Sequence, residues 1–269
     1  MTDTAPIIRL EEVTKTFNGQ KVLDKVSLEV EPGLATVIIG PSGCGKTVLL
    51  KHMIGLFRPD SGRIFYRDQE ISAMSERKLI RARRKMGFLF QGGALFDSMT
   101  VRQNVIFPME EHGVGTLLER KQRCRQVLSL VGLGDYEDRL PEELSGGQKK
   151  RVALARAIVL DPEVIFYDEP TTGLDPVRAD LINELILKLQ AMLGTTAIVV
   201  THDMISARKI GARLLMLHEG RFVADTTPQL LDGIDNDIVQ RFVEGRAFRD
   251  ELAELDQPRP NLDGQRQGA

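Results

Sequence analysis

The sequence has few cysteines and no excess of either charge. Its only two cysteines, Cys44 and Cys124, lack the spacing of metal ligands, so neither a disulfide framework nor a zinc site is predicted. This usage fits a reducing compartment, and the cytoplasm is the simplest expectation. The 36 Lys and Arg residues nearly balance 38 Asp and Glu residues, giving a formal net charge of −2. A dedicated nucleic-acid binder usually has a basic excess, so no nucleic-acid partner is expected.

Long apolar runs are also missing. The longest, at residues 35–39 and 197–200, have the length of strands, whereas a membrane-spanning helix needs about 18 apolar residues. Residues 1–4 lack the basic start and the apolar stretch of a signal peptide. If the protein functions at a membrane, we therefore expect it to remain in the aqueous phase and to act through a partner protein.

The 269 residues give room for one large α/β domain or two small ones, and the first sixty or so predict β-structure. Asn18-Gly19 separates the strand-like segments 8–17 and 22–30, and it predicts a hairpin because both residues tolerate positive φ. Further strands are predicted at 35–39 and 63–66.

Helix and strand signals alternate in the rest of the chain. Residues 75 to about 159 are predicted to be helical, because apolar residues recur at helical spacing. Apolar strands return at 164–167, 196–200 and 214–217, and Asp175 is placed to cap a helix between the first two. Strands separated by helices predict a mostly parallel sheet.

The first chemical motif is Gly40-Pro41-Ser42-Gly43-Cys44-Gly45-Lys46-Thr47, which matches the phosphate-binding pattern G-x-x-x-x-G-K-[ST]. It follows a predicted strand and precedes a predicted helix, so its N–H groups can converge on phosphate oxygens at a helix N-terminus. Lys46 would supply a charge for the β- and γ-phosphates, and the Thr47 hydroxyl would bind Mg²⁺. Cys44 is expected to be a permissive loop position without a redox role.

The second motif is an apolar strand that ends in two acids, Asp168 and Glu169. In open α/β folds, ligands bind at the carboxyl edge of the parallel strands, where these acids would lie. We expect Asp168 to hold Mg²⁺ through water and Glu169 to polarise an attacking water.

The third motif is Leu144-Ser145-Gly146-Gly147-Gln148 at the predicted start of a helix. Ser145 is a good N-cap, but two glycines in a first turn disfavour the helix. They are explained if bare backbone N–H groups must approach a ligand closely.

The third motif resembles the signature of the ATPase subunits of ABC transporters, and further motifs follow in that family's order. Gln91 matches the glutamine loop, which senses the γ-phosphate and meets the transporter. Gly173-Leu174-Asp175 matches the loop that crosses between paired cassettes, and His202 matches the switch histidine. Phe17 matches the aromatic residue that stacks on adenine, with a plain core residue of the hairpin as the alternative.

The resemblance covers roughly residues 7–228. It implies an α/β fold, a P-loop ABC ATPase cassette with a RecA-like, mostly parallel sheet core, an N-terminal antiparallel β subdomain and a helical subdomain at about 92–157. The nucleotide-binding domain would span 1–228, followed by a helical extension and flexible tail at 229–269. ATP and Mg²⁺ are the implied cofactors.

The resemblance also implies a mechanism that needs two copies, paired head to tail around two ATP molecules. Ser145, Gly146, Gly147 and Gln148 of one copy would close the nucleotide held by the P-loop of the other. The implied catalytic residues are Glu169, His202 and Gln91, and the implied Mg²⁺ ligands are Thr47, Gln91 and Asp168.

The expected function is an ATPase that drives a separate integral membrane permease from the cytoplasmic face of the inner membrane. Soluble ABC proteins of DNA repair or translation are one alternative, but they carry two cassettes or long coiled coils, and this chain has neither. A small-molecule kinase is another alternative, although it would not need the segment 144–148.

The cargo is indicated by residues 92–96, Gly-Gly-Ala-Leu-Phe, directly after Gln91. This stretch resembles the ATPases of maintenance-of-lipid-asymmetry and mammalian-cell-entry type transporters, which move phospholipids or other lipids across the Gram-negative envelope. Lipid transport, with further lipid-binding envelope components, is therefore the expectation. Uptake of amino acids or other small solutes is the alternative.

The last part of the chain carries one more expectation. Residues 227–255 contain apolar positions, among them Ile234, Ile238, Phe242 and Phe248, and are predicted to form a helical extension that packs on the cassette or on a second copy. Residues 257–269 contain Pro, Gln and Gly and are predicted to be frayed.

Overall fold

The computed structural model describes residues 5–248, which form two sheets with helices around them. The strands are β1 (Ile8–Phe17), β2 (Gln20–Val30), β3 (Ala35–Ile39), β4 (Ser61–Tyr66), β5 (Gln69–Glu70), β6 (Met86–Leu89), β7 (Val164–Asp168), β8 (Thr196–Thr201), β9 (Arg213–His218) and β10 (Arg221–Thr226). The α-helices are α1 (Lys46–Met53), α2 (Glu76–Arg83), α3 (Val101–Glu111), α4 (Leu117–Leu130), α5 (Gly146–Ile158), α6 (Pro176–Leu193), α7 (Met204–Ile210) and α8 (Asp237–Val243).

The smaller sheet is antiparallel and has the strand order β2-β1-β4-β5. Its first hairpin turns at Asn18 and Gly19, whose φ angles of 49° and 81° are the positive values that the sequence predicts. The larger sheet has the order β10-β9-β3-β8-β7-β6, parallel except for β10. The predicted α/β fold, with a mostly parallel core and an antiparallel β subdomain, is confirmed.

The central strands of the larger sheet are buried on both faces, which explains their continuous apolar sequences. Along β7, Phe166 packs towards the smaller sheet and α1, while Ile165 and Tyr167 pack towards α3, α5 and α6. The register pairs Ile39 of β3 with Thr201 of β8. Parallel strands in this register end at one edge of the sheet, and that edge carries the chemical motifs.

One expectation is wrong: the chain is not helical throughout 75–159, because β6 lies within it and pairs with β7. Four residues are too few to show a periodicity, and the pairing strand lies some 75 residues later. Gly87 allows the close packing of α5 on this strand, since a Cβ there would lie 2.6 Å from the carbonyl oxygen of Ala157.

Three helices, α3, α4 and α5, pack against one another between β6 and β7 in the chain. They lie within the stretch expected to form a helical subdomain. The domain limits of that expectation, 92–157 within 1–228 and a separate 229–269, stay a prediction. None of the helices in residues 5–248 is both long and apolar enough to cross a bilayer.

The described part of the C-terminal extension packs on the cassette, as expected. After a 3-10 turn at Leu231–Gly233, α8 buries Val239 and lies against β10, while Ile234 and Phe242 pack against the hydrophobic core. The Phe248 ring lies 5.0 Å from the ring of His218 on β9. The rest of the expected extension, and the frayed tail, lie outside the described residues.

The close approach of α5 to β6 predicts that Gly87→Ala destabilises the fold. Because the clash is with backbone, the loss should be about 1–3 kcal/mol, seen as a melting temperature lower by about 2–4 °C per kcal/mol. Gly233→Ala is the matched control, since a Cβ at Gly233 meets nothing within 4 Å. Equal melting of both variants and the parent would contradict the packing argument.

Candidate functional site

The phosphate-binding loop connects β3 to α1, and its shape depends on glycine at two positions. Gly40 has φ 153°, and a Cβ there would lie 2.2 Å from the carbonyl oxygen of Leu217. Gly45 has φ 106°, and its Cβ would lie 3.0 Å from the carbonyl oxygen of Val22. Burial raises the pKa of the Cys44 thiol, which fits a loop position that performs no redox chemistry.

Lys46 opens α1, and its side chain returns over the loop. The ammonium is buried and donates to the carbonyl oxygens of Gly40 and Pro41, at 2.8 and 2.9 Å. It lies 3.7 Å from Oε1 of Glu169. One fixed cation therefore lies between the loop and the acidic end of β7.

Thr47 and Asp168 form a second link between these elements, because the Thr47 hydroxyl donates to Oδ1 of Asp168 at 2.7 Å. Burial raises the pKa of Asp168, and the hydrogen bond from Thr47 opposes that shift. In residues 5–248, no group of three or more His, Cys, Asp or Glu side chains could hold a metal ion. A hydroxyl beside one carboxylate fits Mg²⁺ instead, which takes one or two protein carboxylates and completes its shell with water and substrate phosphates.

Glu169 follows β7 with φ 49°, an uncommon conformation for a residue other than glycine. Such strain persists only where the surroundings hold it, and it is frequent at functional sites. Three donors hold the carboxylate through Oε2: Nδ1 of His202 at 2.9 Å and the hydroxyls of Thr172 and Thr201 at 3.1 and 3.4 Å. The side chain is therefore oriented before any ligand binds.

Lys150 also belongs to this region, although it lies outside the motifs that the sequence predicts to be functional. Its buried ammonium donates to the carbonyl oxygens of Glu169, Pro170 and Thr172, at 3.3, 2.7 and 2.8 Å. Burial lowers its pKa to about 8, with the charge of Glu169 opposing the shift. The signal was available, because helical spacing places Lys150 on the same face of α5 as the apolar Leu154.

The loop and the strand ends enclose a cleft of about 390 Å³. Its lining brings together several residues that the sequence indicated from distant motifs: Ser42, Gly43, Gly45, Lys46, Thr47, Gln91, Glu169 and His202. Val22 adds an apolar side chain to the lining, which the sequence motifs did not indicate. The cleft thus offers a phosphate-binding loop, a lysine, a hydroxyl and an oriented carboxylate on one surface.

Phe17 is not a core residue, because 37% of it is exposed at the end of β1. Its ring makes an edge contact with Phe57, with centroids 5.8 Å apart, and Nζ of Lys15 lies 5.4 Å from its centroid. Phe57 and Lys15 therefore hold the partly exposed ring in place, which is compatible with stacking on a planar base.

The segment 145–148 does not line this cleft. Ser145 caps α5, and its backbone N–H donates to Oε1 of Gln148 at 2.8 Å in a capping box. A Cβ on Gly146 would come no closer than 3.9 Å to any neighbour, and one on Gly147 no closer than 3.8 Å. Packing within the chain therefore does not require either glycine.

Comparison with known protein families gives one match, in which the ABC transporter family corresponds to residues 23–172. The probable ribonucleotide transport ATP-binding protein Mkl of Mycobacterium leprae is 39% identical, over 89% of this chain and 69% of its own length. The intermembrane phospholipid transport system ATP-binding protein MlaF of Escherichia coli is 37% identical over 90% of each chain. A methionine import ATP-binding protein, MetN 2 of Rhodococcus jostii, is 42% identical over 81% of this chain and 65% of its own.

Solved structures of cassettes also resemble this fold. A dimeric post-hydrolysis state of the cassette MJ0796, bound to ADP and phosphate, superposes with a TM-score of 0.77 at 33% identity, covering 82% of this chain and 98% of the other. CbiO1 of Clostridium perfringens, part of the transporter complex CbiONQ, gives a TM-score of 0.78 at 30% identity and covers 94% and 99%.

The contacts of Lys150 predict that Lys150→Met lowers both stability and the rate of ATP hydrolysis. Removing the donor leaves buried carbonyls unpaired, at about 1–3 kcal/mol, and releases the loop that carries Glu169 and Thr172. Melting temperature and steady-state hydrolysis are the measurements. Lys149→Met is the control for melting, since the Lys149 side chain makes no hydrogen bond or ion pair within residues 5–248. Parental melting of Lys150→Met would contradict the anchoring role.

Proposed function

The chain belongs to the ABC transporter family as a subunit that binds and hydrolyses ATP, and on this premise we propose that it powers lipid transport through a separate membrane permease. The sequence and position of residues 92–96 carry the proposal for the cargo. The site geometry supports the proposed roles of individual residues in hydrolysis. The proposed location is the cytoplasmic face of the inner membrane, reached through the permease.

ATP binding is assigned to the loop 40–47, with Phe17 stacking on the adenine. The backbone N–H groups of the loop and the start of α1 face the phosphates, and Lys46 is within reach of the β- and γ-phosphates. Thr47, Asp168 and Gln91 would hold Mg²⁺, which neutralises charge on the phosphate oxygens when bound.

Hydrolysis is assigned to Glu169 with His202. The Glu169 carboxylate lines the cleft and is oriented by His202, so it can accept a proton from an attacking water. The His202 side chain is half-exposed beside it and can reach the γ-phosphate from the same side.

The second half of each site comes, in this proposal, from another copy of the chain. Packing within residues 5–248 does not explain glycine at 146 and 147, whereas a phosphate that approaches the N-terminus of α5 closely is favoured by bare backbone there. The resemblance to a dimeric cassette bound to ADP and phosphate supports this arrangement. Ser145, Gly146, Gly147 and Gln148 would therefore close ATP held by the partner copy.

Head-to-tail pairing predicts that Ser145→Arg abolishes hydrolysis while the monomer still binds ATP. The added bulk blocks the surface that meets the partner's nucleotide. Mixing this variant with Lys46→Ala should restore part of the activity, because one composite site then has two intact halves. Nucleotide binding and phosphate release are measured, with Ser129→Arg, an exposed position on α4, as the control. Parental hydrolysis by Ser145→Arg would contradict the pairing.

The surface proposed to meet the permease is a groove of about 430 Å³ beside β6. Its floor is aromatic, with Phe88, Phe90, Phe96 and Phe107 among the lining residues. Several cationic side chains border it, and no acidic residue of the described chain lines it. A short helix with apolar and acidic side chains is the occupant that this chemistry favours.

The loop 92–96 shapes one wall of this groove. Arg156 of α5 donates to the carbonyl oxygens of Gly93 and Ala94, at 2.7 and 2.8 Å. The buried Asn104 of α3 accepts from the N–H of Phe96 at 2.8 Å and donates to its carbonyl oxygen at 3.1 Å. The loop is thus held in one conformation, so its sequence determines the surface that a permease meets.

The uncommon sequence of the loop 92–96 favours a permease that differs from those of other ABC transporters. The relative MlaF is named as a phospholipid transport protein and aligns over 90% of each chain, which supports lipid as the cargo. The relative MetN 2 is named as a methionine import protein, so small-solute uptake remains the second candidate.

The proposal predicts that affinity purification of the chain from native membranes recovers a permease, a membrane-anchored lipid-binding partner and bound lipid. Phe96→Ser should lose the permease, because it removes an aromatic wall of the groove, yet keep ATP binding. Leu118→Ser, at an apolar residue 75% exposed on α4, is the control. Protein identification and lipid extraction are the measurements.

Two outcomes would count against this function. A lipid-free complex with a solute permease and a solute-binding protein would replace lipid by a small solute. A chain that does not sediment with membranes at all would favour the soluble ABC proteins instead.

A further inference from the structure

A buried polar cluster joins α6 to α7 behind the hydrolysis site. Asn183 is 1% exposed on α6, and Ser206 is fully buried on α7. Nδ2 of Asn183 donates to Oγ of Ser206 at 2.9 Å, and Oγ of Ser206 donates to Oδ2 of Asp203 at 2.5 Å. The direction is fixed, because an amide nitrogen only donates and an ionised carboxylate only accepts.

The chain of hydrogen bonds continues to Glu169. The backbone N–H of Asp203 donates to Oγ1 of Thr201 at 3.0 Å, and that hydroxyl donates to Oε2 of Glu169 at 3.4 Å. His202 lies between Thr201 and Asp203 in the sequence, so the residues that fix its backbone on both sides belong to this relay. Thr171, two residues after Glu169, also contacts Oδ2 of Asp203, at 3.4 Å.

Stability alone does not explain the cluster. The rest of the buried face of α6 is apolar, as at Ile182 and Ile186, and an apolar residue would fit the pattern at 183. Oδ1 of Asn183 has no hydrogen-bond partner in the described residues, and a buried unpaired acceptor is costly. Asn183 also lines a cavity of about 320 Å³ that it shares with His202 and Asp203. A costly amide at this place is explained if the relay sets the geometry of the hydrolysis site.

We propose that Asn183 and Ser206 are positioning residues for ATP hydrolysis, which act by fixing Asp203 and through it Thr201, His202 and Glu169. The inference rests on the proposed roles of Glu169 and His202. Neither residue touches the nucleotide cleft, so their loss leaves ATP binding intact and misplaces the groups that act on water and γ-phosphate.

The first test is Ser206→Ala in the purified full-length chain. Removing the hydroxyl interrupts the relay at its centre, and kcat for ATP hydrolysis should fall by about tenfold while KM changes less than about twofold. Ser206→Thr keeps the hydroxyl and should recover most of kcat. A role in folding alone would lower the melting temperature and leave kcat of the folded fraction at the parental value, which would overturn the proposal.

A second variant keeps the test decisive if Ser206→Ala folds poorly. Asn183→Leu with Ser206→Ala replaces both partners by apolar groups, which is close to neutral for stability, and still removes the Ser206 hydroxyl that donates to Asp203. Its kcat should fall as in Ser206→Ala. The control is Thr195→Val, since Thr195 is 3% exposed, its hydroxyl has no hydrogen-bond partner among the described residues, and it lies outside the relay, so kcat should stay parental.

A third variant separates failure of the inference from failure of the proposed function. Glu169→Gln should hydrolyse ATP far more slowly than the parent, and parental activity there would overturn the role of Glu169 and the inference with it. If Glu169→Gln is inactive and the double variant has parental kcat, the positioning role alone is overturned. A raised KM with unchanged kcat would also overturn it, because that result describes a binding residue.

Discussion

The parallel register of β3, β8 and β7 is the constraint on which the site depends. Thr201 of β8 lies beside Ile39, and Asp168 of β7 lies beside Val200, so all three strands end at the same level. Only then can the Thr47 hydroxyl reach Asp168 at 2.7 Å. A shift of one residue would move each strand end by about 3.3 Å and turn its side chains to the other face. The apolar residues that pack on both faces of the sheet therefore fix the strand register and, with it, the relative positions of the site residues.

Local signals in the sequence predicted local structure well. Asn18-Gly19 forms the predicted hairpin turn, and Asp175 and Ser145 cap the helices they were expected to cap. These features depend on a few neighbouring residues, whose conformational preferences are visible in the sequence. The fold class could also be predicted, because alternating strand and helix signals leave few arrangements for a chain of this length.

Features that depend on contacts between distant segments could not be predicted in the same way. Strand β6 is too short to show a pattern and depends on β7 for its hydrogen bonds. Lys150 acts on a loop some 20 residues later, and Asn183 acts on a helix some 23 residues later. Helical spacing marks both as buried, but only the fold shows which acceptor each one meets. The cleft itself combines residues from five separate segments of the chain, and its existence follows from the topology alone.

Helix α5 contributes to the proposed partner-facing segment, to the loop after β7 and to the proposed permease groove, and this has a mechanical consequence. Its capping residue Ser145 begins the segment 145–148, Lys150 holds the loop after β7, and Arg156 holds the loop beside the groove. Thirteen residues make a rod of about 20 Å at 1.5 Å per residue. A hydrogen-bonded helix of this length tilts as one piece under load, so a force at its first turn exerts a torque on its far end. A displacement of the first turn of α5 would therefore move the loop after β7 and the loop beside the groove with it, because Lys150 and Arg156 bind both loops to the same hydrogen-bonded helix.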